Sequence, residues 1–207
     1  MASDSGIVIK SIKIFIVIII SALFIGWGDT WDQIKNSSKD ITSVEADFVQ
    51  KKYLEILAKP LVSKGKFYFQ TPKSLRWEYL SPVQSILMMH GGAMKRYIKK
   101  GDTVIQDASV SMQSMQIILG EITFWMKGDY DKNPSFTPEL KQGRIITLTP
   151  KDKSLADIIQ RIELKLSNTS GVIRYVKIYE SKKSYTVIDF ERVKLNAQLP
   201  DSLFLEL

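Results

Sequence analysis

Apolar and polar residues alternate with period two along most of this chain, the pattern of half-buried strands. Val44, Ala46 and Phe48 alternate with Glu45, Asp47 and Val49, and residues 53–57 extend the run until Pro60 breaks it. Residues 62–69 form the next extended stretch, closed by the turn composition Thr71-Pro72-Lys73-Ser74. Leu75, Trp77 and Tyr79 then alternate with Arg76, Glu78 and Leu80, which collects aromatic side chains on one face. Gly91-Gly92 and Gly101-Asp102 are tight-turn signals that join residues 84–90, 94–99 and 103–105 into a meander. Further strands are expected at 135–140, 145–149, 158–166, 172–179 and 185–195. No alternation of strand, helix and strand appears. The pattern predicts one antiparallel sheet of roughly ten strands.

Helical spacing interrupts this sheet pattern in three places. Trp31, Ile34 and Ser38 give a short amphipathic helix within residues 29–39. Ala108, Met112, Met115 and Leu119 fall at i, i+4, i+7 and i+11, which predicts an amphipathic helix ending at Gly120. Residues 121–126 read as a second short helix carrying Phe124 and Trp125. The fold class is therefore mainly β (α+β), an antiparallel sheet with a few short helices, in a single domain spanning 29–207.

The first 28 residues follow different rules. Lys10 and Lys13 precede an apolar run at 14–25, broken only by Ser21, and Gly26-Trp27-Gly28 leads into polar sequence. A basic start, a short apolar core and small residues before a polar segment describe a secretory signal peptide, with cleavage expected after Gly28. The apolar stretch is shorter than the roughly 20 residues that span a bilayer, so export outweighs anchoring. The protein is expected in the periplasm.

Composition removes whole classes of chemistry. There is no cysteine and one histidine, so thiol nucleophiles, Cys-ligated zinc and multi-histidine metal sites are excluded within one chain. No G-x-S-x-G and no phosphate loop occurs. His90 follows an apolar strand without a nucleophile motif beside it, and reads as structural. Asp129-Tyr130-Asp131-Lys132-Asn133 begins like a calcium loop, but the sixth position is Pro134 and the twelfth is Leu140. Glu45 and Glu78 are lone carboxylates, and nothing in the linear order pairs them for glycosidase chemistry. No catalytic residue, metal or cofactor is expected. The net charge of +7 is spread along the chain, without the basic stripe and stacking aromatics of a nucleic-acid binder.

What remains is apolar. Aromatic strands and a helix bearing Met112, Met115 and Leu119 suit either an ordinary core or a greasy pocket with a movable cover, since methionine adapts to partners of variable shape. The run Val44-Glu45-Ala46-Asp47-Phe48-Val49-Gln50 resembles the opening strand of the LolA-type periplasmic carriers of outer-membrane lipoproteins. Gly65-Lys66-Phe67-Tyr68-Phe69, Thr71-Pro72, the segment Leu75-Arg76-Trp77-Glu78-Tyr79 and Pro82 follow in the family's order. So do Leu119-Gly120, Gly128-Asp129 before Phe136, and the ending Asn196, Leu199-Pro200, Leu203-Phe204.

The resemblance implies a half-open antiparallel β-barrel covered by helices, with an apolar cavity for acyl chains. It implies a noncatalytic, monomeric carrier for acylated lipoproteins or other lipids. Such a carrier would receive its cargo from an inner-membrane exporter and pass it to an outer-membrane acceptor. A lipid-binding sensor or protein-interaction module of the same fold is the alternative, and an exported hydrolase comes third. Phe48, Phe67, Phe69, Trp77 and Tyr79 are the expected cavity residues of the sheet, closed over by Met112, Met115 and Leu119, with Phe124 and Trp125 near the rim. One departure stands out: family members carry an arginine before the proline equivalent to Pro72, bonded to the covering helices, and here that residue is Thr71.

Overall fold

The computed structural model describes residues 29–107, 113–168 and 171–206, and at 113–116 only the backbone. The expected signal peptide at 1–28, Ala108 and Met112 lie outside the described residues.

Thr30 starts the first helix, α1 (Trp31–Ser38), with a reciprocal cap. Its hydroxyl accepts from the Gln33 amide at 3.3 Å, and the Gln33 side chain accepts from the Thr30 amide at 2.8 Å. Six strands follow in a meander: β1 (Ser43–Tyr53), β2 (Leu61–Gln70), β3 (Ser74–Ser81), β4 (Ser85–His90), β5 (Ala93–Lys100) and β6 (Thr103–Gln106). A second meander comprises β7 (Phe136–Lys141), β8 (Ile145–Pro150), β9 (Arg161–Leu166), β10 (Ile173–Tyr179) and β11 (Tyr185–Leu195). The two halves join where β11 pairs with β1, giving the order β6-β5-β4-β3-β2-β1-β11-β10-β9-β8-β7. All pairings are antiparallel, and the outermost strands β6 and β7 do not meet, so the curved sheet stays unclosed. The expected mainly-β fold is the observed one, with eleven strands.

Between β6 and β7 the chain passes from one edge of the sheet to the other. The helix α2 (Gln113–Lys127) lies in that passage. It runs straight through Gly120, where the sequence pattern placed a break between two helices. Gly120 is exposed, and an added Cβ would meet nothing within 4 Å. The helix continues because Ile118, Leu119, Ile122, Trp125 and Met126 are all buried beyond and before it. Their packing outweighs the roughly 1 kcal/mol that a mid-helix glycine costs relative to alanine. The stop comes at Gly128, whose φ of 66° admits the left-handed turn. Gly128 N donates to Trp125 O at 3.1 Å and Asp129 N to Phe124 O at 3.1 Å, the paired bonds of a Schellman ending.

A second difference sits before β9. Residues 158–160 alternate like strand, yet Asp152 caps a short helix, α3 (Lys153–Ala156), by accepting from Leu155 N at 2.9 Å. The turn then carries on, Ile159 N donating to Leu155 O at 2.9 Å. Ile159 is buried all the same, so burial alone did not distinguish the two conformations. The chain closes with α4 (Ser202–Leu205), which seats Phe204 on the outer side of β3 and β4.

Candidate functional site

The inner face of the sheet is built by alternation. Val44, Ala46 and Phe48 of β1, Phe67 and Phe69 of β2, and Leu75 and Trp77 of β3 are buried on one side. From the other half, Val176 and Ile178 of β10 and Ile188 and Phe190 of β11 join them. Gly65 interrupts β2 for a steric reason. It stands opposite Phe48, and a Cβ there would overlap the Phe48 ring and the Glu78 carbonyl oxygen. Its absence lets the Phe48 ring lie across β2 and meet Trp77 at a centroid distance of 5.0 Å and Tyr79 at 5.3 Å. Trp77 also meets Phe67 at 5.3 Å and Phe190 at 6.0 Å, edge to face.

Across this cluster lies α2. Ile118, Ile122, Trp125 and Met126 face the sheet and enclose, with it, a cavity of about 20 Å³. Val44, Ala46, Phe67, Trp77, Val176, Ile188 and Phe190 form its floor, and Val172, Ile173 and Val193 its flank. Every lining residue is apolar. A space this small holds about one water-sized sphere, and an apolar lining keeps such a space dry. The helix therefore fills, with its own side chains, the hollow of the curved sheet.

Polar contacts fasten this cover at its C-terminal end. Lys35 of α1 donates to Asp129 at 2.6 Å. The Asn133 amide donates to the buried Glu121 carboxylate of α2, while its own oxygen accepts from Ser135 N and Phe136 N at 2.8 Å each. Burial pushes the Glu121 carboxyl above its ordinary range, with the Asn133 bond acting against that. At the other end, the Arg96–Asp107 ion pair at 2.6 Å fixes the residue just after β6 to β5.

Of the expected cavity residues, the structure brings Phe67, Trp77 and Trp125 to the lining. Phe48 and Tyr79 pack against Trp77 one layer out, and Tyr79 donates its hydroxyl to Gln50 at 2.9 Å. Phe69 and Leu119 are fully buried without lining the cavity. Trp125, expected near the rim, is 2% exposed and sits inside; only Phe124 is partly buried. The reason is the uninterrupted helix, which carries the phase of Ile118 and Ile122 through to Trp125. The side chain of Met115, like Met112, falls outside what is described. Sequence reasoning missed Ile118, Ile122 and Met126, although Ile118, Ile122 and Trp125 follow i, i+4, i+7 once Gly120 is kept helical. It also missed Ile188 and Phe190, which alternate in β11.

The position of the family arginine is resolved as well. Thr71 bonds Thr42 O through its amide at 2.9 Å and its hydroxyl at 3.2 Å, so it ties the turn after β2 to the start of β1. Arg76 does not replace the missing arginine. It lies on the outer face of β3, where Nη1 donates to Leu203 O at 3.1 Å and Glu206 O at 2.8 Å, holding α4.

The family model for the outer membrane lipoprotein carrier protein LolA matches residues 39–205. The chain belongs to the LolA family. An outer-membrane lipoprotein carrier protein of Nitrosospira multiformis is 22% identical over 83% of this chain and 81% of its own length. One from Francisella tularensis is 23% identical over 90% and 88% respectively. Among solved structures, a LolA superfamily protein from Nitrosomonas europaea aligns over 85% of this chain and 97% of its own, with a TM-score of 0.45 and 14% identity. MucB aligns over 84% of this chain and 60% of its own, with a TM-score of 0.48 and 12% identity. Among the described residues, no helix is long and apolar enough to cross a membrane.

Proposed function

We propose that this LolA-family protein is a periplasmic carrier. It shelters the acyl chains of lipoproteins between α2 and the inner face of the sheet and moves them from the inner to the outer membrane. The observation that carries this reading is the wholly apolar lining of the space between a curved, unclosed sheet and the helix α2. Each methylene taken out of water contributes about 0.8 kcal/mol, so acylated cargo needs such a shelter to cross an aqueous space. The cavity is closed when empty, and loading requires α2 to move aside. The partners in this reading are the inner-membrane exporter, the outer-membrane acceptor and the acylated cargo itself, and the N-terminal 28 residues act as a cleaved signal peptide.

The test is uptake of a fatty-acyl probe by delipidated protein. Trp77 and Trp125 line the cavity from opposite walls, so tryptophan emission reports occupancy directly. Saturable binding with a spectral shift supports the carrier. If the stripped protein ignores acyl probes while remaining folded, the carrier reading is wrong and a noncatalytic protein-interaction module takes its place.

A further inference from the structure

The two edges of the sheet differ in chemistry. The outermost strand on one side, β7, carries Pro138, which has no amide for a further strand to use, and the charged Glu139 and Lys141. On the other side, β6 carries neither proline nor charge; all four of its residues are exposed, Val104 by 45% and Ile105 by 38%. Among the described residues, no strand pairs with the outer side of β6. Its backbone groups are aimed there in a definite way. Asp107 N donates to Arg96 O at 2.9 Å, and bonded pairs alternate with unbonded ones along an antiparallel ladder. The amides and carbonyls of Val104 and Gln106 therefore point away from β5, into the place of a further strand.

The side chains beside this edge decide what such a strand should carry. On the outer face, Leu80, Ile86, Tyr97 and Val104 line a groove of about 180 Å³, with Lys99 at its wall. Lys95, Tyr97 and Lys99 alternate on that face of β5, and Lys100 follows. Residues 93–106 hold four basic side chains and one acidic. Arg96 is paired with Asp107, whereas Lys95, Lys99 and Lys100 meet no carboxylate among the described residues. The groove's own carboxylate, Glu78, lies on β3, three strands from the edge, and is paired with Arg76 at 3.3 Å. A second copy of this chain, laying β6 against β6, would crowd these lysines together. An acidic strand would be drawn to them.

We propose that the open edge of β6 is a docking site for an extended, acidic segment of a partner protein, which adds to the sheet as a twelfth strand. Backbone pairing with Val104 and Gln106 gives the hold. An apolar side chain beside Val104 packs along the groove, and carboxylates around it meet the lysines. This edge is separate from the apolar space under α2, so the inference does not depend on the carrier reading.

The test uses a fluorescein-labelled, C-terminally amidated peptide, EEVLVEE, and its charge-reversed counterpart KKVLVKK. Anisotropy at low salt should show the acidic peptide binding at least tenfold more tightly, a preference that fades at high salt. An EEVLVEE peptide N-methylated at alternate amides cannot complete the ladder and should bind at least tenfold more weakly. Val104→Pro removes an outward amide that β5 does not use, at an edge position where proline is tolerated, and should weaken EEVLVEE about tenfold. Lys95→Glu combined with Lys99→Glu should abolish the preference for the acidic peptide. A measurement on unaltered protein guards against misfolded variants: EEVLVEE should slow hydrogen exchange at the Val104 and Gln106 amides and leave that of α2 unchanged. Equal affinity for the two peptides, or unslowed exchange, overturns the proposal. Self-association of the free protein that Val104→Pro abolishes also overturns it, because the edge then serves a second copy. Binding to phosphatidylglycerol vesicles in place of EEVLVEE overturns it in favour of a lipid surface.

Discussion

Replacing Ile122 by glutamate separates a movable cover from a fixed core. Ile122 is 4% exposed and points from the middle of α2 into the apolar space against the sheet. Losing a buried isoleucine side chain costs about 2–5 kcal/mol in a packed interior. An ionised carboxylate in the same place adds several kcal/mol unless it is protonated or solvated. The sum is comparable to the whole stability of a domain this size, about 5–15 kcal/mol. If α2 is integral to the core, Ile122→Glu should therefore unfold the protein cooperatively.

A separable cover behaves differently, because the penalty cannot exceed the free energy with which α2 docks. Once the helix swings out, the introduced carboxylate is in water and the sheet is left to itself. The expected result is a retained β signature in far-UV circular dichroism. Backbone amides of β1, β2, β10 and β11 should keep their slow hydrogen exchange, while those of α2 become fast. Acyl-probe affinity should fall more than tenfold, because the cavity loses its roof. Cooperative loss of sheet and helix protection together would refute the reasoning, since it would show that the hollow of the sheet cannot exist uncovered.

Three further outcomes follow from single residues. Glu121 has its pKa raised by burial, so the folded state disfavours the charged form and stability declines as pH climbs past the ordinary carboxylate range; Glu121→Gln should stabilise at pH 7 and change little at pH 4, read by thermal unfolding at both. Arg76→Ala should free α4 by removing the donors to Leu203 O and Glu206 O, at a cost of about 1–3 kcal/mol, and make the C-terminus sensitive to carboxypeptidase while acyl-probe binding persists. Gly65→Ala should destabilise by about 1–3 kcal/mol or more in urea titrations, because the new Cβ meets the backbone oxygen of Glu78 as well as the Phe48 ring, and a backbone atom yields little.

The sheet was legible because period two survives in nearly every strand, and β11 (Tyr185–Leu195) was read to the residue. The aromatic floor was legible for the same reason: Trp77 and Tyr79 alternate with charged neighbours, and Phe67 is paired with Trp77 across β2 and β3. The cover was not, and Gly120 is the cause. Local propensity says that a glycine after an apolar stripe ends a helix, whereas burial on both sides of it keeps the helix whole. The misplaced break put Trp125 at the rim and hid Ile118 and Ile122. The contribution of β10 and β11 to the floor was hidden by distance, since nothing in linear order says that the last strand returns to pair with the first.

That closing pair matters for the carrier as much as for the fold. With β1 and β11 at its centre, the sheet curves around a hollow that α2 fills. In the proposed carrier the helix is an internal competitor for the acyl chain. Cargo gains about 0.8 kcal/mol for each methylene sheltered, but first gives back the burial of Ile118, Ile122, Trp125 and Met126, each worth roughly 1.5–3 kcal/mol. The net hold on the chain is a difference between two similar hydrophobic terms, so it stays far below what chain length alone would give. A carrier needs that difference to be modest, because a chain bound with its full transfer energy would not be surrendered to an acceptor. In this protein position 71 is threonine, and among the described residues Lys35–Asp129 and Asn133–Glu121 fasten the cover. In the proposed carrier, weakening the packing of the helix into the hollow should tighten the grip on cargo up to the point where the roof no longer forms.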